Sequence, residues 1–273
     1  MTTEPQKKTV ELIGETSPYL FDNANEISFN ERNIEFPLHK SFEYFDKENF
    51  SNLIKILSTV GSLNLANQLK ANKKNYFLGE KLRIRKISYM QPSGLLIAKV
   101  TPQLENEKKG KSLIEIMDEN NKIFQMEIDY FIIDDINFKK IFEPYYHAEK
   151  NNDFNSLLPN TQFECLTEDE FNITVDEFTR SHCSGHFDNY NIVPAVFMTN
   201  IILKNIYKIN SDSNIELDNL EILSTGKAMP VNTVFKVNIK IFHLSKKLKF
   251  YKCTVQDNKN DYGHYLLTFK NLS

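Results

Sequence analysis

Apolar and polar residues alternate most clearly in the second half of the chain. Across 234–242, Phe235, Val237, Ile239 and Ile241 interleave with Lys236, Asn238 and Lys240, the period of two of a strand with one buried face. Leu248 and Phe250, set among Lys247, Lys249 and Lys252, lead on to Cys253 and Val255. The turn residues 257–261 then precede a last strand at 265–269. The first half carries the same programme: strands are predicted at 94–100, 112–117 and 123–133, joined by polar turns at 106–111 and 118–122. One helical stretch precedes each set of strands, 50–69 in the first half and 194–206 in the second. Pro194 suits a first helical position, where its missing N–H is not needed. The expected class is α+β, one helix followed by an antiparallel meander, twice over.

Sliding one half along the other supports a repeat. At an offset of 142, Tyr44 falls on His186, Glu35-Phe36 on Glu177-Phe178, Phe45-Asp46 on Phe187-Asp188, and Asn49 on Asn191. Further along the offset becomes 138, with Leu82 on Leu220, Ile84 on Ile222 and Pro92 on Pro230. Two domains are expected, 1–150 and 151–273, with the boundary in the polar run 149–154.

Composition narrows the function. A net charge of -3 with Lys and Glu interspersed leaves no footprint for nucleic acid or an anionic membrane surface. The first residues lack a signal-peptide core, and no stretch is long and apolar enough to cross a membrane, which points to a cytoplasmic protein. Three cysteines, Cys165, Cys183 and Cys253, form no CxxC pair and read as reduced thiols. His39, His147, His243 and His264 have no second ligand at helical or strand spacing, and there is no glycine-rich phosphate loop. Neither a metal nor any other cofactor is expected.

The segment carrying chemistry is Gly185-His186-Phe187-Asp188-Asn189-Tyr190-Asn191-Ile192-Val193-Pro194-Ala195-Val196. It resembles the active-site segment of the beta-hydroxyacyl-ACP dehydratases, in which Gly-His-Phe is followed at fixed spacing by apolar-Pro-Gly-Val and the central helix of a hot-dog fold. The resemblance implies a double hot-dog, each half a curved antiparallel sheet wrapped round its helix, with an acyl chain held between the two helices. It implies His186 as the base that removes a proton next to the thioester carbonyl. The amide at Ala195, helped by the helix dipole, would polarise that carbonyl, and Gly185, Phe187 and Pro194 would help to bind the substrate. Fourteen residues after His186, where those dehydratases carry a Glu or Asp, this chain has Asn200, which can orient a substrate but cannot transfer a proton. Tyr44 and Ser58 are the counterparts of His186 and Asn200 in the first half. Cys183 beside His182 and His186 also invites a nucleophile reading, with a packed thiol as its alternative.

A second resemblance lies in Phe36-Pro37-Leu38-His39-Lys40-Ser41-Phe42 and the later Gly61-Ser62-Leu63-Asn64-Leu65-Ala66. These look like the first repeat of the A-factor synthase family, tandem hot-dog proteins that condense a 3-oxoacyl-ACP with dihydroxyacetone phosphate. That family's Glu-Thr-x-Arg-Gln signature is replaced here by Lys55-Ile56-Leu57-Ser58-Thr59. Its carboxylate and arginine therefore do not carry over. The expected partner is an acyl carrier protein or coenzyme A thioester. A second copy or a hot-dog partner subunit is left open, and so is a non-catalytic binding role. A tunnel reaching His186 would favour turnover, and one plugged by aromatic side chains would favour scaffolding.

Overall fold

Each alternating stretch closes into an antiparallel ladder. The structure, a computed structural model, describes residues 10–21, 27–29, 33–38, 49–69, 73–89, 95–119, 121–149, 153–187, 189–211 and 214–272. The strands are β1 (Ser28–Phe29), β2 (Ile34–Leu38), β3 (Asn75–Lys86), β4 (Leu96–Asn106), β5 (Lys109–Asp118) and β6 (Asn121–Asp134), then β7 (Thr161–Thr167), β8 (Glu170–Val175), β9 (Ile215–Ser224), β10 (Phe235–Ser245), β11 (Leu248–Gln256) and β12 (Asp261–Asn271). The helices are α1 (Phe50–Gln68), α2 (Asp135–Ile141) and α3 (Ala195–Ile209).

All twelve strands join one sheet in the order β1-β2-β4-β5-β6-β3-β9-β12-β11-β10-β8-β7. Read outward from the central β3–β9 pair, the two sides carry the same order with every label raised by six. Helix α1 follows β2 just as α3 follows β8. The central ladder pairs Leu82 with Ile222, Arg83 with Glu221, and Ile84 with Leu220. Arg83 and Glu221 are also the residues that the 138 offset superposes.

Helix α1 buries fourteen of its nineteen residues, so it is covered on most of its circumference. It packs on β4, β5 and α3. Asn64 Nδ2 donates to Val100 O at 2.8 Å, and the Tyr130 hydroxyl donates to Ser58 O at 2.7 Å. A Cβ on Gly61 would lie 2.5 Å from that hydroxyl, so only glycine lets α1 approach β6 so closely. Helix α3 turns Phe197, Met198, Ile201, Ile202, Leu203 and Ile206 into the same core.

Some boundaries differ from the sequence reading for local reasons. The hairpin between β4 and β5 turns at 107–108 alone, with Asn106 opposite Lys109, so polar residues expected in a turn extend the ladder. Pro194 is the residue before α3 and not its first helical position (φ -61, ψ 130). Helix α2 follows β6 directly because Asp134 caps it, accepting from Ile136 N and Asn137 N at 3.0 Å. Among the described residues no helix is long and apolar enough to cross a membrane.

Candidate active site

The site is built where the segment 10–21 is laid against the turn that carries His186. Asn75 N donates to Leu12 O at 2.9 Å and Thr16 N to Gly185 O at 2.7 Å. Ile13 is buried between these anchors. Gly185 has a positive φ of 81°, and a Cβ there would stand 2.4 Å from Thr16 O and 2.7 Å from Tyr19 N. Glycine is thus required for the backbone conformation and for the contact alike. The ring of Tyr19 lies 4.9 Å from that of His186, between centroids, and Lys55 Nζ sits 4.8 Å above Tyr19.

A cavity of about 450 Å³ opens at this point between α1, α3 and the central strands. Polar groups on its wall include Glu15, Tyr19, Lys55, Ser58, Ser62, Tyr130, His186, Thr199 and Tyr265, with Glu80, Lys81, Ser224, Lys227 and Tyr262 also on it. Ile54, Phe77, Leu82, Ile128, Phe187, Ile192, Val193 and Val196 supply much of its apolar surface. Its size and lining match those of small-molecule sites. The first N–H groups of a helix have no acceptor within the helix, and Ala195 and Val196, which open α3, both line the cavity. The Ala195 carbonyl is engaged by Tyr265 OH at 3.2 Å and Thr199 Oγ1 at 3.3 Å.

His186 Nδ1 lies 3.2 Å from Ile192 O. A carbonyl can only accept, so Nδ1 carries the proton and Nε2 keeps its lone pair. Burial holds the imidazolium pKa down at about 4, with Lys55 adding to the effect and the Ile192 contact opposing it. Glu15 shows the opposite shift: burial raises its carboxyl from 4.5 to about 7, against the Thr59 hydroxyl and Lys55. Its Oε2 has no hydrogen-bond partner among the described residues.

The two shifts act oppositely on stability. The contribution of His186 is complete above pH 6.5 and is lost as pH falls from 6.5 to about 4, because the unfolded state then gains a proton that the folded state refuses. That of Glu15 is complete below pH 4.5 and is lost as pH rises from 4.5 to about 7. Each amounts to up to about 3 kcal/mol. Denaturant midpoints should therefore change little between pH 4.5 and 6.5 in the wild type, rise toward pH 4.5 in His186→Gln, and fall toward pH 4.5 in Glu15→Gln. Parallel curves for all three proteins would contradict these assignments.

Comparison with known proteins places this architecture. No protein-family model matches the sequence, and no curated protein does either. Solved structures do match over nearly the whole chain. A protein from Lactobacillus plantarum, provisionally described as an oleoyl thioesterase, superposes with a TM-score of 0.61 at 8% identity, covering 89% of this chain and 96% of its own. An acyl-ACP thioesterase from Bacteroides thetaiotaomicron gives 0.55 at 10% identity, covering 92% and 100%. A conserved protein from Alicyclobacillus acidocaldarius, described as having a hot dog fold, gives 0.54 at 7%, covering 90% and 96%. This chain has the hot-dog fold. At such low identities the likeness extends to the fold alone.

Within this hot-dog chain the residues singled out from the sequence fall into four groups. His186, Phe187, Ala195 and Ser58 line the cavity. Gly185 and Pro194 stand behind it and set the backbone of the turn and of the helix entry. Asn200 is not among the residues that line the cavity, whereas Thr199, one position earlier on α3, is. Ala195, Val196 and Thr199 share the cavity face of α3. Ser58 Oγ donates back to Ile54 O at 2.8 Å, within its own helix. Tyr44, His39, Asp46 and Asp188 lie outside the described residues.

His182 is fixed structurally, with Nδ1 accepting from Thr179 N at 2.9 Å and Nε2 donating to Leu157 O at 2.9 Å. Burial pushes the Cys183 thiol up to about 12, so it is a packed thiol and not a nucleophile. Among the described residues no three His, Cys, Asp or Glu side chains gather to hold a metal. Sequence reasoning missed Glu15, Tyr19 and Lys55. The segment holding Glu15 has no periodicity to mark it, and only the close approach at Gly185 carries it into the site.

Proposed function

We propose that the chain is a double hot-dog enzyme, with units 1–150 and 151–273, that adds or removes water across carbons 2 and 3 of an acyl thioester. The observation that carries this reading is the neutral His186, its Nδ1 engaged by Ile192 O, on the wall of an acyl-sized cavity at the start of α3. Its Nε2 would take the proton from carbon 2 of a 3-hydroxyacyl thioester, while the amides opening α3 polarise the carbonyl. The thioester would be carried by an acyl carrier protein or coenzyme A, and no cofactor is needed. An open cavity reaching His186 favours turnover over a scaffolding role. All three cysteines are free, which suits the reducing cytoplasm. The A-factor-synthase-like condensation has less support, because Lys55, Ser58 and Ser62 stand on the cavity face of α1 where that chemistry needs a carboxylate and an arginine.

A second reading, hydrolysis of the thioester, is favoured by the description of the Bacteroides thetaiotaomicron structure as an acyl-ACP thioesterase. One experiment separates them. Incubated with 3-hydroxyacyl, 2-enoyl and saturated acyl thioesters on both carriers, the protein should shift the first two by one water and leave the saturated one intact, as read by mass spectrometry. Release of free acid from the saturated substrate would assign hydrolysis instead.

A further inference from the structure

Elimination of water needs a proton for the departing hydroxyl, and neither His186, already committed as the base, nor Asn200, off the cavity wall, provides one. We propose that the Glu15 carboxyl, delivered by the segment 10–21, is that proton donor, an inference that rests on the reading of His186 as base. Glu15 is buried, lines the same cavity as His186, and has one carboxyl oxygen without a partner among the described residues. A buried carboxyl with an idle oxygen costs on the order of 1–3 kcal/mol, and such groups concentrate where chemistry uses them. Its position is fixed from both sides: Leu12 O and Thr16 N are bonded to Asn75 and Gly185, and Gly14 fits against Tyr76 and Phe187 where no Cβ would go. The Thr59 hydroxyl of α1 faces it, one residue beyond Ser58. A carboxyl thus arrives beside the helix position that lacks one, from a different part of the chain.

The charged and titratable groups around Glu15 are Lys55 from α1, Tyr130 from β6, and Tyr19 within the same segment, with Cys183 and His186 beyond Tyr19. The Thr59 hydroxyl and Lys55 favour the ionised carboxyl, and burial outweighs both, so much of Glu15 is protonated at neutral pH. In the step, Nε2 of His186 takes the proton from carbon 2 and those electrons form the double bond. The bond from carbon 3 to oxygen breaks, and the hydroxyl leaves as water with the Glu15 proton. The imidazolium returns its proton to the carboxylate through solvent, so the sum is a 3-hydroxyacyl thioester giving a 2-enoyl thioester and water.

The test compares two leaving groups in Glu15→Gln. Turnover of a 3-hydroxyacyl thioester should fall by about 100-fold or more, while elimination of fluoride from the 3-fluoroacyl analogue, which needs no proton to leave, should stay within a few-fold of wild type. Wild-type dehydration should decline as pH rises through about 7, a readout that holds even if the variant folds poorly. Full turnover of the hydroxy substrate by Glu15→Gln would overturn the role of Glu15 and leave His186 as base. Equal loss on both substrates would make Glu15 a structural residue. No elimination from either substrate by the wild type would overturn the reading of the site itself.

Discussion

Gly185→Ala should lower stability by about 2–4 kcal/mol and strip the site of its N-terminal wall. A non-glycine residue in the left-handed region costs about 1–2 kcal/mol, and here the new Cβ would also meet backbone at 2.4, 2.7 and 2.9 Å, at Thr16 O, Tyr19 N and Pro18 N. Backbone cannot swing aside as a side-chain tip can, so the segment 10–21 must lift away and take Glu15 and Tyr19 with it. Gly226 is the control. Its φ is 78°, yet nothing lies within 4 Å of a Cβ built there. Gly226→Ala should therefore cost about 1 kcal/mol, the conformational term alone. Chemical denaturation of both variants measures the difference, and equal losses would show that the contact between the segment and the His186 turn is absent in solution.

His186→Gln should reduce turnover of a 3-hydroxyacyl thioester by about 10²–10⁴-fold, the usual worth of a positioned general base, without unfolding the protein. Glutamine can keep a hydrogen bond to Ile192 O but has no lone-pair nitrogen to accept a proton. The loss should fall on kcat, because most of the cavity wall is supplied by other residues. A rise in KM with kcat unchanged would make His186 a binding residue.

Much of the fold was legible because local pattern and tertiary role agree. β10, β11 and β12 alternate over much of their length, and both long helices fall where helical stretches were expected. Arg83 and Glu221, superposed by the 138 offset, pair at the centre of the sheet, a contact that the offset by itself did not predict. The central strands themselves were harder to see: Gly79-Glu80-Lys81 interrupts β3 and Asp218-Asn219 interrupts β9, leaving only short alternating runs around Leu82 and Leu220. In the site, the Gly-His-Phe turn was visible as a motif. Family spacing pointed to Asn200, and the cavity lining takes in its neighbour Thr199. Glu15 had no local signature at all, since its role depends on a contact between residues 16 and 185.

The most direct measurement is hydration of a 2-enoyl thioester in deuterated water, followed by mass spectrometry. The wild type should form the 3-hydroxyacyl thioester with a carbon-bound deuterium at carbon 2, placed there by His186, and His186→Gln should leave the enoyl substrate unchanged. A wild type that forms no hydrated product, or a variant that forms it equally well, would contradict the account.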